Sequence, residues 1–133
     1  MYLSDSKPAR KLKFVAGVGG SVAGGLMILA AGPTAILGGD GTVGAATCLG
    51  IADNTVAQNG IVIIESIKGR QVTAPFTGAV TFTDADLGKV YDLDAGGLVI
   101  DATDTTNGFA VLQSYDNTAK TVTFVVPDAL TYC

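Results

Sequence analysis

The stretch "FTDADLGKVYDLDAGGLVIDA" (Phe82–Ala102) sets five aspartates among short apolar runs. Three readings compete: a metal site, a catalytic carboxylate pair, or turns between strands. An EF-hand needs acidic ligands at alternating positions, a glycine and a distal Glu. Here the third early ligand and the Glu are missing, and Lys89 would repel a cation. Thr83–Leu87 predicts a single helical turn, capped by Thr83 and stopped by Gly88. Lys89–Asp94 and Leu98–Asp101 then read as a hairpin joined through Ala95-Gly96-Gly97. Asp92 and Asp94 lie two apart on a strand, so they share one face, taken as solvent. On this reading the aspartates are turn and surface residues, and metal binding is the lesser alternative.

The rest of the chain agrees with a strand-and-turn reading. Among 133 residues there is one Glu against eleven Asp, and Val, Ile and Thr recur throughout. Asp favours turns, and β-branched residues favour strands. Turn signals such as Gly32-Pro33, Asn59-Gly60, Gly96-Gly97, Asn107-Gly108 and Asp116-Asn117 recur at short intervals. That spacing predicts an all-β fold, a small antiparallel β-barrel or β-tulip-like sandwich. The predicted strands are 12–16, 26–31, 34–38, 43–52, 61–67, 70–74, 79–83, 89–93, 97–101, 108–115 and 121–126. Residues 1–24 read as an extended basic and Gly-rich N-terminal arm, and 25–133 as a single β domain. No internal repeat is evident.

Charge is unevenly placed. Residues 1–13 carry Lys7, Arg10, Lys11 and Lys13 against Asp5, whereas residues 72–133 carry eight Asp against Lys89 and Lys120. A basic arm on an acidic body points to a polar partner for the arm, or to a solvated tail. An acidic body repels phosphates, so nucleic acid is not an expected partner. The run 14–38 is interrupted by Gly and Pro, and its longest apolar core, Leu26–Ala31, falls far short of the ~20 residues that span a bilayer. No membrane partner is expected, and a signal peptide is the lesser reading of that run. "GVGGSVAGG" (Gly17–Gly25) fails the dinucleotide spacing at Val22 and has no P-loop Lys.

The chain has no His and no Trp, which excludes Cys/His zinc sites and leaves Ser or Cys nucleophiles without an imidazole base. No catalytic residue, metal or cofactor is expected. Cys48 and Cys133 read by default as two reduced thiols, a disulfide being the other possibility, which fits assembly in a reducing cytosol.

Residues 81–102 and 108–126, "TFTDADLGKVYDLDAGGLVIDA…GFAVLQSYDNTAKTVTFVV", resemble the C-terminal half of bacteriophage head decoration proteins, also called capsid cement proteins. The counterparts are Thr83–Tyr91, Asp94–Val99, Gly108–Val111 and Thr121–Val126, and Leu49–Pro75 resembles an earlier strand pair of that family. The likeness spans about residues 43–127, and the long basic N-terminus has no counterpart in it. It implies a non-enzymatic β domain on the outer capsid surface of a virion, commonly a homotrimer, bound to the major capsid protein. Lys7, Arg10, Lys11, Lys13 and Phe14 are then the candidate capsid-binding residues, with "KLKFVAG" (Lys11–Gly17) adding a strand to a neighbour's sheet edge. The alternative is a carbohydrate-binding β module, which requires exposed aromatics gathered on one face.

Overall fold

A computed structural model of the chain describes residues 1–5, 10–39, 42–43 and 48–126. Those residues are almost entirely strand and turn, as the composition predicts. Strands β1 (Tyr2–Leu3), β2 (Lys11–Ala16), β3 (Leu26–Ala31), β4 (Thr34–Leu37), β5 (Cys48–Ala52) and β6 (Ile61–Glu65) are followed by β7 (Val72–Thr77), β8 (Val90–Leu93), β9 (Ile100–Asp101), β10 (Ala110–Asp116) and β11 (Thr121–Val125). The helical turn expected at Thr83–Leu87 is a 3-10 turn at Asp84–Asp86.

Five strands close a barrel in the order β2-β4-β3-β5-β6. The parallel pair is β2–β4, and the other four pairings are antiparallel. The second half repeats this plan. β7 pairs in parallel with β9, and β9–β8, β8–β10, β10–β11 and β11–β7 are antiparallel. In each half the first strand meets the third, the third the second, the second the fourth, the fourth the fifth, and the fifth the first. Each fourth strand ends at the same tripeptide, Asp53-Asn54-Thr55 and Asp116-Asn117-Thr118. The chain is therefore a repeat in topology, although the sequence shows no repeat, because the two interiors are filled differently.

Ala16, Met27, Ala35, Leu49, Ala52, Val62 and Ile64 fill the first barrel with small and aliphatic groups. Aromatic rings occupy the second: Phe82 stands edge-on to Phe76 at 4.8 Å and to Tyr91 at 5.5 Å, and Phe109 edge-on to Phe124 at 5.7 Å. Edge-to-face contacts of this kind add to the area term of burial. Period-two alternation produces both interiors, as in β11, where Val122 and Phe124 are buried between half-exposed Thr121, Thr123 and Val125. Leu26, Ile28, Cys48 and Ile51 join the core that holds the second barrel's aromatics. One outer wall of the first barrel is thus covered by the second.

Four expectations change. Residues 11–24, read as arm, contain β2 and a loop stitched into the first barrel: Ser21 Oγ donates to the Asn54 carbonyl at 2.8 Å, and Ser21 N–H to Val56 at 2.9 Å. Residues 1–5 are also docked, because β1 pairs with β7 (Tyr2 with Thr73, Leu3 with Val72) and Met1 packs on the core. Residues 79–83 are not a strand. Gly78 turns the chain at φ +105, and the Asn117 amide takes the place of a neighbouring strand by accepting from Phe82 N–H and donating to Phe82 C=O, both at 2.9 Å. Cys48 is fully buried and disulfide-bonded, not a reduced thiol. The chain's one other cysteine, Cys133, lies outside the described residues.

Closure of the first barrel depends on Gly50. Its φ is +133, and a Cβ there would fall on the Glu65 carbonyl oxygen, at the β5–β6 pairing. Gly50→Ala is expected to cost at least ~2 kcal/mol, from backbone strain and a lost ladder. Urea unfolding of the variant against wild type measures it; an unchanged midpoint contradicts this account of closure.

Candidate functional site: the outer wall of the first barrel

Directly opposed residues of an antiparallel pair share a face. In β2 and β6, Lys11 faces Glu65, Lys13 faces Ile63 and Val15 faces Ile61. These six side chains form the wall opposite the one covered by the second barrel. In the alternate set Phe14, against Val62, packs on the interior, whereas Leu12, against Ile64, stays 42% exposed. The sequence grouped Phe14 with the basic residues as a partner contact, but Phe14 is half-buried against the barrel core. The wall carries an aliphatic centre with a charged end, and Ile61 keeps 53% of its surface exposed.

The charged end is a bridge. Lys11 Nζ lies 2.8 Å from Asp53 and 3.3 Å from Glu65. Its pKa is raised, chiefly by the hydrogen bond to Asp53 and then by that to Glu65. The amine is therefore held as ammonium, which suits an ion pair and not a nucleophile. Of the basic charge assigned to the arm, that of Lys11 is neutralised within the chain. Arg10 and Lys13 are exposed and make no ion pair among the described residues. Lys7 lies outside the described residues.

β4 pairs with β2 only at Val15 and Ala16. Along 11–14 the β4-side edge of β2 meets no strand among the described residues. Two lysines flank this short open edge, which hinders unwanted strand pairing while leaving main-chain groups accessible. The segment the sequence singles out for strand addition thus pairs with its own chain on one edge and is open on half of the other.

The opening aspartates act locally. Asp86 accepts from Thr83 N–H at 3.0 Å and pairs with Lys89 at 2.9 Å. Asp94 accepts from Gly96 N–H, Asp101 from Thr103 N–H and Oγ–H, Asp104 from Thr106 N–H, and Asp116 from Thr118 and Ala119 N–H. These are side-chain-closed turns. Asp92 departs from its expected surface position, being fully buried with its carboxylate accepting from Leu93 N–H at 2.8 Å. The segment after β9 crosses there, with Asp92 N–H donating to Asp104 at 3.1 Å, a tertiary contact that strand alternation does not encode. Among the described residues no three His, Cys, Asp or Glu side chains converge as a metal site.

The tyrosines do not assemble a sugar-stacking face. Tyr2 is exposed, Tyr91 is buried, Tyr115 is half-buried with its hydroxyl on Asp84 at 2.9 Å, and Tyr132 lies outside the described residues. Asp53, Val15, Ile61, Ile63 and Glu65 were missed by the sequence reading. Their signal was present: "KLKFV" and "IVIIE" are matched five-residue strands whose opposite charges meet when paired antiparallel. No protein-family model matches this chain, and no curated protein matches it.

Two outcomes follow from these contacts. Asp5 accepts from Arg70 Nε at 2.6 Å and from Gln71 N–H at 2.8 Å, and the Arg70 side chain is only 8% exposed. Asp5→Ala withdraws a carboxylate from a buried guanidinium and is expected to cost ~1–3 kcal/mol. Faster amide exchange at Val72 and Thr73 would accompany it; unchanged exchange there contradicts the docking of β1. The second outcome concerns acid. The Lys89 hydrogen bond to Asp86 and the Thr103 hydroxyl on Asp101 hold both carboxyls below their ordinary range. The unfolded chain therefore binds those protons first on acidification. Their stabilisation is complete above the ordinary carboxylate range and is lost as pH falls through the lowered folded values. Asp101→Asn should flatten this acid limb in thermal melts across pH, and an unaltered limb contradicts it.

Proposed function

We propose that this chain is a structural protein that decorates and stabilises the outer shell of a phage capsid, binding the major capsid protein at capsomer junctions. The observation that carries the reading is the uncovered outer wall of the first barrel. Val15, Ile61 and Ile63 provide an apolar centre; among the described residues Lys13 is a cation without an ion pair and the 11–14 edge of β2 is open, a row of main-chain groups. A protein that works by adhesion needs such a surface on a rigid body, and an open strand edge can take an extended segment of a shell protein by main-chain hydrogen bonding. The resemblance of residues 43–127 to head decoration proteins supports the same reading.

In this reading the chain acts as a homotrimer, so that weak contacts repeat and reinforce one another by avidity. It has no catalytic role. Asp86 and Asp101 agree with it, since both are pushed further toward ionisation and neither is poised as an acid. The scattered tyrosines give no support to the carbohydrate-binding alternative.

The test is occupancy on particles. Undecorated phage heads mixed with the purified protein should acquire regular surface density by electron cryomicroscopy. The double variant Lys13→Glu with Ile61→Asp changes only exposed positions. It should keep its melting temperature and lose occupancy by about tenfold or more, the scale of a disrupted binding centre. Equal occupancy would remove the wall from the reading, and heads that never bind the wild type would remove the reading itself.

A further inference from the structure

The four asparagines of this chain, Asn54, Asn59, Asn107 and Asn117, sit in very different surroundings. Two are locked. Asn54 donates to the Ile61 carbonyl at 3.0 Å and accepts from Ile63 N–H at 2.9 Å. Asn117 holds both polar groups of Phe82. The other two precede glycine, the smallest neighbour and the one that leaves the following nitrogen least shielded. They differ in how that nitrogen is used. Gly60 N–H donates to Ala57 at 3.0 Å, and Asn59 N–H donates to Ala16 at 2.8 Å. Asn107 is exposed, at φ 54, and its side chain and its N–H have no hydrogen-bond partner among the described residues. The Gly108 N–H has none either.

We propose that Asn107–Gly108 is a site of spontaneous deamidation, with water as co-reactant, and that the fold directs the reaction there ahead of the chain's other asparagines. The Gly108 nitrogen gives up its proton and attacks Asn107 Cγ. The bond from Cγ to the side-chain nitrogen breaks, and ammonia leaves. Water then opens the five-membered imide at either carbonyl, giving Asp or isoaspartate at position 107. The consequence is structural as well as electrostatic. IsoAsp adds a methylene to the main chain one residue before Gly108, where even a Cβ would lie 2.7 Å from the Val90 carbonyl oxygen. The next residue, Phe109, is buried and donates its N–H to Tyr91 at 2.9 Å. The product therefore strains the β8–β10 pairing at Val90 and Tyr91.

The experiment ages the folded protein in mildly alkaline buffer and follows each asparagine peptide by mass spectrometry. An isoaspartyl methyltransferase marks the rearranged product. A urea-unfolded sample and an Asn107→Ser variant run alongside. The peptide containing Asn107 should gain about one dalton several-fold faster than the Asn59 peptide, with Asn54 and Asn117 slowest. Aged wild type should also melt lower than aged Asn107→Ser. Conversion at Asn59 equal to or ahead of Asn107 in the folded protein overturns the proposal. So does an Asn107 that persists in the folded chain while the unfolded chain converts.

Discussion

Leu26, Ile28 and Ile51 point away from the interior of their own barrel and into the core of the next. The rest of the molecule depends on that contact. Burial of aliphatic surface is worth roughly 25 cal/mol per Å², so an outer wall built of such residues must be covered. The second barrel covers it. By the same step the opposite wall, β2 with β6, is left to solvent, and it carries a mixed aliphatic and charged set. Cys48 belongs to the covered wall, where its sulfur is shielded and oxidised.

The two barrels solve one topological problem with different materials. Each begins with a strand held between a parallel and an antiparallel neighbour, and each stitches the loop after that strand to the loop before the last. In the first half the stitch is the hydroxyl of Ser21 on the Asn54 carbonyl, and in the second the amide of Asn117 on Phe82. Alanines and aliphatics fill one interior, interlocked rings the other. Volume and period decide whether a barrel packs, and many side-chain sets satisfy both. That freedom explains why only Asp-Asn-Thr survives as a visible echo between the halves.

The secondary structure was largely legible because it rests on alternation and turn chemistry, both local. "KTVTFVV" gave β11, and Gly96-Gly97 gave the β8–β9 hairpin. The same rules misplaced what depends on distant contacts. Asp92 looks like a surface residue until the segment after β9 crosses over it. Residues 79–83 look like a strand until Asn117 supplies their hydrogen bonds. The basic residues near the N-terminus look like an arm because the partners of Lys11, namely Asp53 and Glu65, are more than forty positions away. Of the candidate site, Lys11 and Lys13 were found from charge. The aliphatic residues beside them are visible only once β2 and β6 are paired.

The docking of β1 on β7 sets an order of events during synthesis. The first barrel is complete once β6 has emerged, since β2 to β6 contain all its pairings. Residues 1–5 then have no strand to join, because β7 follows β6 in the chain. Chains made from the N-terminus fold in units as they emerge. Residues 1–5, made before the strands of the first barrel, thus find their place after it, and the seam they close forms only when the second half has arrived.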